Sequence, residues 1–252
     1  MSLSTLLVII SIVGNFALGL FVYTRNKKNE LYGTFLLLCL ILTIWNINIL
    51  GLIIAPNENF AWYWAKIFAL GLVLSPPIVL HFVLVFTEYR GELEKRMLYI
   101  SYSIALVFSV LNLSGLFVSE FLKVGVKYFP HAGLMFQLFI FNLILFVGYA
   151  LLLLFRKYKQ TTSGIKRNQV AYFLVATLVT TLIGLTNFLP SFGIKIYPLG
   201  NMAAIVFTSI VAYAIVKHRL MDIQVVIRKS VVYASLTASI TAIYAIIVGI
   251  FY

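Results

Sequence analysis

The sequence predicts an all-α fold: a polytopic membrane helical bundle of seven core transmembrane helices plus an eighth C-terminal helix. Hydrophobic residues make up 62% of the 252-residue chain and charged residues only 10%, with a mean hydropathy of +1.04. Soluble domains carry about 25% charged residues. Apolar runs of about 20 residues, the length that crosses a bilayer, recur along the chain. Because backbone groups in lipid must pair within their own segment, we expect these runs to be helices.

Eight apolar runs are long enough to cross a membrane. In chain order they span residues 3–23, 34–55, 65–86, 97–118, 134–155, 170–189, 197–216 and 231–252. Basic residues follow the first run rather than precede it, and no small-residue cleavage site is present. This run is therefore expected to be a permanent helix and not a removable signal peptide. The pair Pro76-Pro77 interrupts the third run near mid-membrane, which predicts a kink.

The positive charges predict the orientation of the bundle. If the N-terminus lies outside the cell, most of the 19 basic residues fall in cytoplasmic loops. Those left on the outer side are Lys66, Lys123, Lys127 and Lys195. Cytoplasmic loops are normally the ones enriched in Lys and Arg. We therefore expect a multi-pass protein of the cell (plasma) membrane with its N-terminus outside. No nucleic-acid partner is expected, because the cations form short clusters and not a single surface stripe.

Polar residues within the apolar runs concentrate toward the predicted outer ends of the helices. Such residues usually face the interior of a bundle, and a few convergent polar groups in an apolar pocket are typical of small-ligand sites. The candidate ligand-binding residues are Trp45, Asn48, Trp64, Lys66, Asn112, Gln137, Asn187 and Asn201. The alternative is that the amides form hydrogen bonds between helices, each worth about 0.6 kcal/mol. Lys66 is alternatively an anchor at the lipid headgroups.

A second group of residues is a candidate for coupling the bundle to the cytoplasm. Its members are Pro76, Pro77, His81, Arg219 and Asp222. The proline pair is either a hinge or a fixed kink. His81 is either a titrating group, as a histidine near neutral pH can be, or a hydrogen-bonded packing residue. Arg219 and Asp222 follow the point where the seventh helix is expected to leave the membrane.

Three motifs carry a family resemblance. They are AWYWAKIFALG at 61–71, PPIVLHFVLVFTEYR at 76–90 and IYPLGNMAAIVFTSIVAYAIVKHRLMDI at 196–223. In this order they resemble the N-terminal seven-transmembrane sensor region of bacterial and archaeal histidine kinases, over roughly residues 1–223. The resemblance implies that this domain signals to a cytoplasmic kinase or other output, in cis or in trans. Residues 224–252 are similar to the linker and eighth helix that follow such sensors, and we expect the output module to be absent from the chain.

The expected function is that of a membrane sensor or receptor region in two-component-type signalling. The stimulus would be a small or lipophilic ligand or a state of the membrane. No enzyme activity, cofactor or metal is expected of this region, because the sequence shows no catalytic constellation and Cys39 stands alone.

Other function classes and partners remain open at this point. A small-solute transporter is the first alternative, although a proton- or cation-coupled transporter usually buries a carboxylate, which these runs lack. A membrane enzyme acting on lipids is the second, and it would need more acidic, His or Cys residues at the inner interface. Membrane lipids and an unknown small ligand are the expected partners, and a homodimer is one open arrangement.

Overall fold

The helical bundle expected from the sequence is the architecture of the computed structural model, which describes residues 3–114, 117, 120–124, 127–194, 199–218 and 220. Its α-helices are α1 (Leu3–Arg25), α2 (Glu30–Ile54), α3 (Glu58–Phe68), α4 (Leu70–Val73), α5 (Ser75–Thr87), α6 (Glu92–Ser114), α7 (Leu134–Gln160), α8 (Gly164–Leu185) and α9 (Ala203–His218). The strands β1 (Phe121–Val124) and β2 (Lys127–Pro130) lie between α6 and α7. The 3₁₀ segments η1 (Thr186–Phe192) and η2 (Leu199–Met202) lie between α8 and α9. The all-α prediction is confirmed.

The first six predicted membrane-crossing helices have counterparts of sufficient length in the structure. Within the described residues, six helical stretches are long and apolar enough to cross a membrane. The next apolar helix, Ala203–Ile215, is shorter, because the chain before it forms the 3₁₀ segment η2. The predicted eighth helix at 231–252 lies outside the described residues.

The crossings pack as a closed ring. Helix α1 packs on α2, α2 on α5, α5 on α7, α7 on α8, α8 on α9, and α9 returns to α1. Helix α6 packs outside this ring, against α3, α4 and α5, and its outward residues Leu106 and Val110 are largely exposed. The ring therefore encloses a central space that several distant parts of the chain can line.

The two ends of the bundle differ in charge. We call the end with the β1–β2 hairpin, the start of α3 and η1 the hairpin face, and the end with the α1–α2, α5–α6 and α7–α8 turns the basic face. The described cations of those turns and their flanks are Arg25, Lys27, Lys28, Arg90, Lys95, Arg96, Arg156, Lys157, Lys159, Lys166 and Arg167. Ion pairs join neighbouring turns, with Arg90 3.9 Å from Glu30 and Lys157 3.8 Å from Glu88.

The third crossing is divided rather than bent within one continuous helix. It consists of α3, α4 and α5, with junctions at Ala69 and Leu74. Pro76 and Pro77 occupy the first turn of α5, where the missing N–H of proline needs no helical partner. The hydroxyl of Ser75 donates a hydrogen bond to the carbonyl of Leu72 across the last junction (2.7 Å). The sequence identified the place of the break but not the second junction upstream.

The hairpin was not expected from the sequence, which predicted a plain loop between the fourth and fifth helices. Strands β1 and β2 are antiparallel, with Phe121 opposite Pro130. Beyond β2, the N–H of Ala132 donates to the carbonyl of Ser191 (3.0 Å) and fastens the hairpin to η1. Strands of four residues are too short for the alternation of apolar and polar residues to be recognised in the sequence. The hairpin nevertheless covers one end of the ring.

Candidate functional site

A cavity lies under the hairpin, and we call it the hairpin cavity. Its volume is about 70 Å³. It is lined by Trp45, Asn48, Ile49, Leu52 and Ile53 of α2, Leu72 of α4, Tyr128, Phe129 and Pro130 of β2, Phe136 of α7, and Asn187, Phe188 and Ser191 of η1. Four crossings and the hairpin thus contribute to it, and its walls are mostly apolar and aromatic.

Three polar atoms in this cavity lack a hydrogen-bond partner among the described residues. They are Oδ1 of Asn48, Oδ1 of Asn187 and Oγ of Ser191. Asn48 is only 7% exposed and Ser191 only 2%. Buried polar groups in folded proteins nearly always have a partner, because an unpaired one costs free energy. These atoms are therefore available to a bound molecule.

A second cavity, the central cavity, lies inside the ring and also has a volume of about 70 Å³. Its lining comes from α2, α4, α5, α7, α8, η1 and α9, and it includes Thr177 and Thr180 of α8. The hydroxyls of both threonines are buried without a partner in the described part of the chain. Threonines in helices usually donate to the carbonyl four residues earlier, as Thr43 does. Sequence reasoning missed Thr177 and Thr180, since residue type alone does not show which hydroxyls lack such a bond.

The two cavities share one wall. Trp45, Leu72 and Phe188 line both of them. The indole of Trp45 lies close to Gly184 of α8, since a Cβ added there would be 3.3 Å from Cη2 of the indole. The indole can therefore pack against α8 at this position because Gly184 has no side chain.

Of the candidate ligand-binding residues, the structure brings Trp45, Asn48 and Asn187 together in the hairpin cavity. The other described candidates make contacts elsewhere. The indole N–H of Trp64 donates to the carbonyl of Ile47 (3.1 Å). The amide of Gln137 donates to the carbonyl of Ala132 (3.0 Å). These contacts are typical of amides and indoles that join neighbouring segments.

Asn112 and Lys66 form a joint between α6 and α3. The amide of Asn112 donates to the backbone carbonyl of Lys66 (2.7 Å), and the Lys66 ammonium lies 4.2 Å from the centroid of a Trp62 ring. This cation–π contact is typical of a side chain at the membrane interface. The side chain of Asn201 lies outside the described residues.

The coupling candidates are only partly described. Nδ1 of His81 is 3.0 Å from the hydroxyl of Tyr102, so this histidine joins α5 to α6. Pro76 and Pro77 begin α5, as stated above. Arg219 and Asp222 lie outside the described residues.

Residues at both ends of α9 were missed by sequence reasoning. At the hairpin face, the N–H of Gly200 donates to the hydroxyl of Thr186 (2.9 Å). A Cβ on Gly200 would lie 2.5 Å from Cγ of Asn187, so η2 packs directly on Asn187. At the basic face, the amide of Gln169 donates to the carbonyl of His218 (3.2 Å), and the ring of His218 stacks on Tyr172 at 4.6 Å. Helix α9 is thus held at its start by η1 and at its end by α8.

Comparison with known proteins supports one family. The family described as the N-terminal 7TM region of histidine kinase matches residues 7–224. No curated protein and no solved structure matches the chain at a significant level. The matched range holds the three motifs quoted above and the described elements from α2 to α9, and it confirms the predicted family. The region is not itself catalytic, and membership implies a cytoplasmic kinase output in cis. The chain therefore belongs to the family of N-terminal seven-transmembrane regions of histidine kinases, and it is a multi-pass membrane sensor region in signalling.

Proposed function

We propose that this sensor region detects a small, lipophilic molecule in the hairpin cavity and passes the change through α9 to its cytoplasmic output. The observation that carries the proposal is the set of unpartnered polar atoms on Asn48, Asn187 and Ser191 in one apolar cavity. No described residue pairs with these atoms, and a ligand with matching polar groups would form hydrogen bonds to them. These hydrogen bonds would contribute to the affinity for such a ligand.

A short structural path leads from the cavity to α9. Asn187 is in direct contact with Gly200, and Gly200 is bonded to Thr186. Segment η2, which contains Gly200, continues directly into α9. A ligand that moves Asn187 therefore displaces the start of α9. Such signalling requires two packings of the bundle and a ligand with different affinities for them.

The far end of α9 is where we propose that the signal leaves the membrane. Gln169 and Tyr172 hold His218 against α8, so α8 and α9 move together or this contact breaks. Arg219 and Asp222 follow directly in the sequence, and we propose them as part of the exit. Pro76, Pro77 and His81 belong to α5, which packs on α2 and α7 and supports the opposite side of the ring.

Ligand binding tests the proposed site. The double variant Asn48→Leu, Asn187→Leu removes two of the unpartnered oxygens, and each lost hydrogen bond is worth about 0.5–1.5 kcal/mol. We expect lipophilic molecules that raise the unfolding temperature of the wild-type chain in nanodiscs to lose about tenfold or more in affinity. The matched control is Asn112→Ala, an amide of the same face that bonds to Lys66 instead. A double variant that keeps the full response would show that the site lies elsewhere.

The orientation of the bundle is tested by cysteine labelling in intact cells. Lys27 in the α1–α2 turn and Asn59 at the start of α3 are both exposed, and the native Cys39 is buried. With the N-terminus outside, a membrane-impermeant maleimide should label Asn59→Cys directly, but Lys27→Cys only after the cells are permeabilised. The wild-type chain serves as the unlabelled control. Labelling in the reverse pattern would place the N-terminus in the cytoplasm and overturn the orientation.

A further inference from the structure

The hairpin cavity and the central cavity lie side by side and differ in chemistry. Oδ1 of Asn48 and Oδ1 of Asn187 are hydrogen-bond acceptors in the hairpin cavity. The central cavity is apolar apart from a few hydroxyls of α5 and α8. No charged side chain lines either cavity in the part of the chain that the structure describes. One compartment is therefore suited to a polar group and the other to a hydrocarbon.

Building on the proposed function, we infer that the two cavities are compartments of one site for a neutral amphiphile. The hairpin cavity takes a head group that donates hydrogen bonds, as an alcohol does, and the central cavity takes its alkyl tail. The shared wall of Trp45, Leu72 and Phe188 separates the two compartments. The indole of Trp45 is the part of this wall that the tail displaces.

The charge and the donor pattern define the class of head group. The carboxamide oxygens of Asn48 and Asn187 accept hydrogen bonds and repel an anion, whereas the Ser191 hydroxyl can donate or accept. One hydroxyl donor does not replace a counter-ion, and a buried anion without a counter-ion is unstable. The nearby cation, Lys66, has its ammonium over the ring of Trp62 and does not line the cavity. A fatty alcohol therefore fits the hairpin cavity and a fatty acid anion of the same length does not.

The size of the cavities requires the shared wall to move. Each cavity has a volume of about 70 Å³, which is room for only a few water molecules. A ligand with both a head and a tail must occupy both. Displacement of the Trp45 indole pushes on Gly184, which lies at the end of α8 directly before η1 and Asn187. Tail binding would thus act on the same segment that the head group contacts.

The test is photolabelling of the full chain in nanodiscs with octanol that carries a diazirine on its terminal carbon. We expect adducts on residues of the central cavity, including the stretch of α8 around Thr180. Straight-chain alcohols from ethanol to decanol then compete with the label. Affinity should rise with chain length, by up to about fourfold per methylene group, until the tail fills the central cavity. Octanoate should compete at least tenfold more weakly than octanol.

Two variants, Thr180→Leu and Asn48→Leu, test the two compartments separately. Thr180→Leu places a larger side chain in the central cavity and reduces its free volume, so the longest alcohol that still gains affinity should become shorter, while ethanol and propanol compete as before. The side chain of valine has nearly the same size as that of threonine. Thr180→Val should therefore leave this cut-off unchanged, and it controls for the loss of the hydroxyl. Asn48→Leu removes one acceptor and should weaken the binding of every alcohol by a similar factor, about twofold to tenfold. Unfolding temperatures identify any variant that fails to fold, and the wild-type adduct map does not depend on them.

The outcomes distinguish this inference from the proposed function. If Asn48→Leu weakens all alcohols but Thr180→Leu leaves the cut-off unchanged, the tail does not enter the central cavity and the two-compartment inference is wrong. If octanoate competes as well as octanol, the neutral head group is wrong. If neither variant changes competition and the adducts lie on lipid-facing residues, the hairpin cavity is not the site, and the proposed function fails as well.

Discussion

The variant Phe82→Ala is expected to lose about 3 kcal/mol of the free energy of unfolding, the largest loss predicted for a single side chain of this bundle. Phe82 lies on α5 and is fully buried. Its ring centroid is 5.6 Å from that of Phe35 on α2 and 4.6 Å from that of Phe173 on α8. One side chain thus connects three crossings of the ring. Its truncation leaves a void among helices that cannot close on it without shifting.

The loss expected for Phe82→Ala is smaller in a membrane than in the core of a soluble protein. Phe→Ala changes in soluble cores cost about 3–5 kcal/mol, partly because the removed atoms no longer leave water on folding. Helices that separate in lipid stay in an apolar medium, so mainly the packing contacts are lost. We therefore expect the lower end of that range. Because Phe173 also lines the central cavity, the affinity for a ligand with an alkyl tail should fall as well.

The matched control for this prediction is Phe141→Ala. Phe141 lies on α7 with 67% of its surface exposed, so its truncation should change the unfolding free energy little. Both variants are measured by denaturant unfolding in micelles. Equal losses for the two variants would mean that the ring of helices is not packed around Phe82.

The variant Gly71→Ala is expected to destabilise the bundle by about 1–3 kcal/mol and to weaken the dependence of ligand affinity on chain length. A Cβ at Gly71 would lie 2.7 Å from the backbone nitrogen of Trp45 and 2.8 Å from Cγ2 of Ile44. A backbone atom cannot rotate away as the end of a side chain can, so α4 must move off α2. This close approach through a small residue is a common way in which membrane helices pack.

The functional part of this prediction follows from the position of Gly71. Trp45 and Leu72 are both in the wall shared by the two cavities, and Gly71 precedes Leu72 in the chain. Separation of α4 from α2 would open this wall without a ligand. We expect the variant to bind the octanol photolabel with weaker discrimination by chain length, measured by the competition series described above.

Gly148→Ala is the control for the glycine substitution. Among the described residues nothing lies within 4 Å of the position that its Cβ would take, and alanine is favoured over glycine in a helix by up to about 1 kcal/mol. This variant should be neutral or slightly more stable and should keep its ligand response. If Gly71→Ala behaves in the same way as Gly148→Ala, the contact between α4 and α2 does not matter for stability or binding.

The positions of the helices could be predicted from hydropathy, but their ends could not. The run predicted at 97–118 is α6, which begins at Glu92 and ends at Ser114. Its first turns are charged and add no hydropathy. Acidic residues such as Glu92 and Glu94 nevertheless stabilise the start of a helix through its dipole. The run predicted at 197–216 likewise contains η2 followed by α9, since length and hydropathy do not distinguish a 3₁₀ turn from an α-helix.

For the candidate site, the sequence could not show which polar side chains lack a hydrogen-bond partner. Asn48 and Asn112 are the same residue type near the same face of the bundle, and the sequence placed both in one group. The structure bonds Asn112 to the carbonyl of Lys66 and leaves Oδ1 of Asn48 without a partner among the described residues. The neighbours that decide this come from crossings far apart in the chain.

The sequence by itself determined that this chain is a bundle of membrane helices and that it belongs to the sensor family, because hydropathy and short motifs are local properties of the chain. Only the tertiary structure decided which polar groups share a cavity, that the third crossing has two junctions, and that Trp45 lies between the two cavities. These features depend on how side chains from α2, α4, α8 and η1 meet. Such contacts between distant segments follow from the packing of the whole ring and not from any one stretch of sequence.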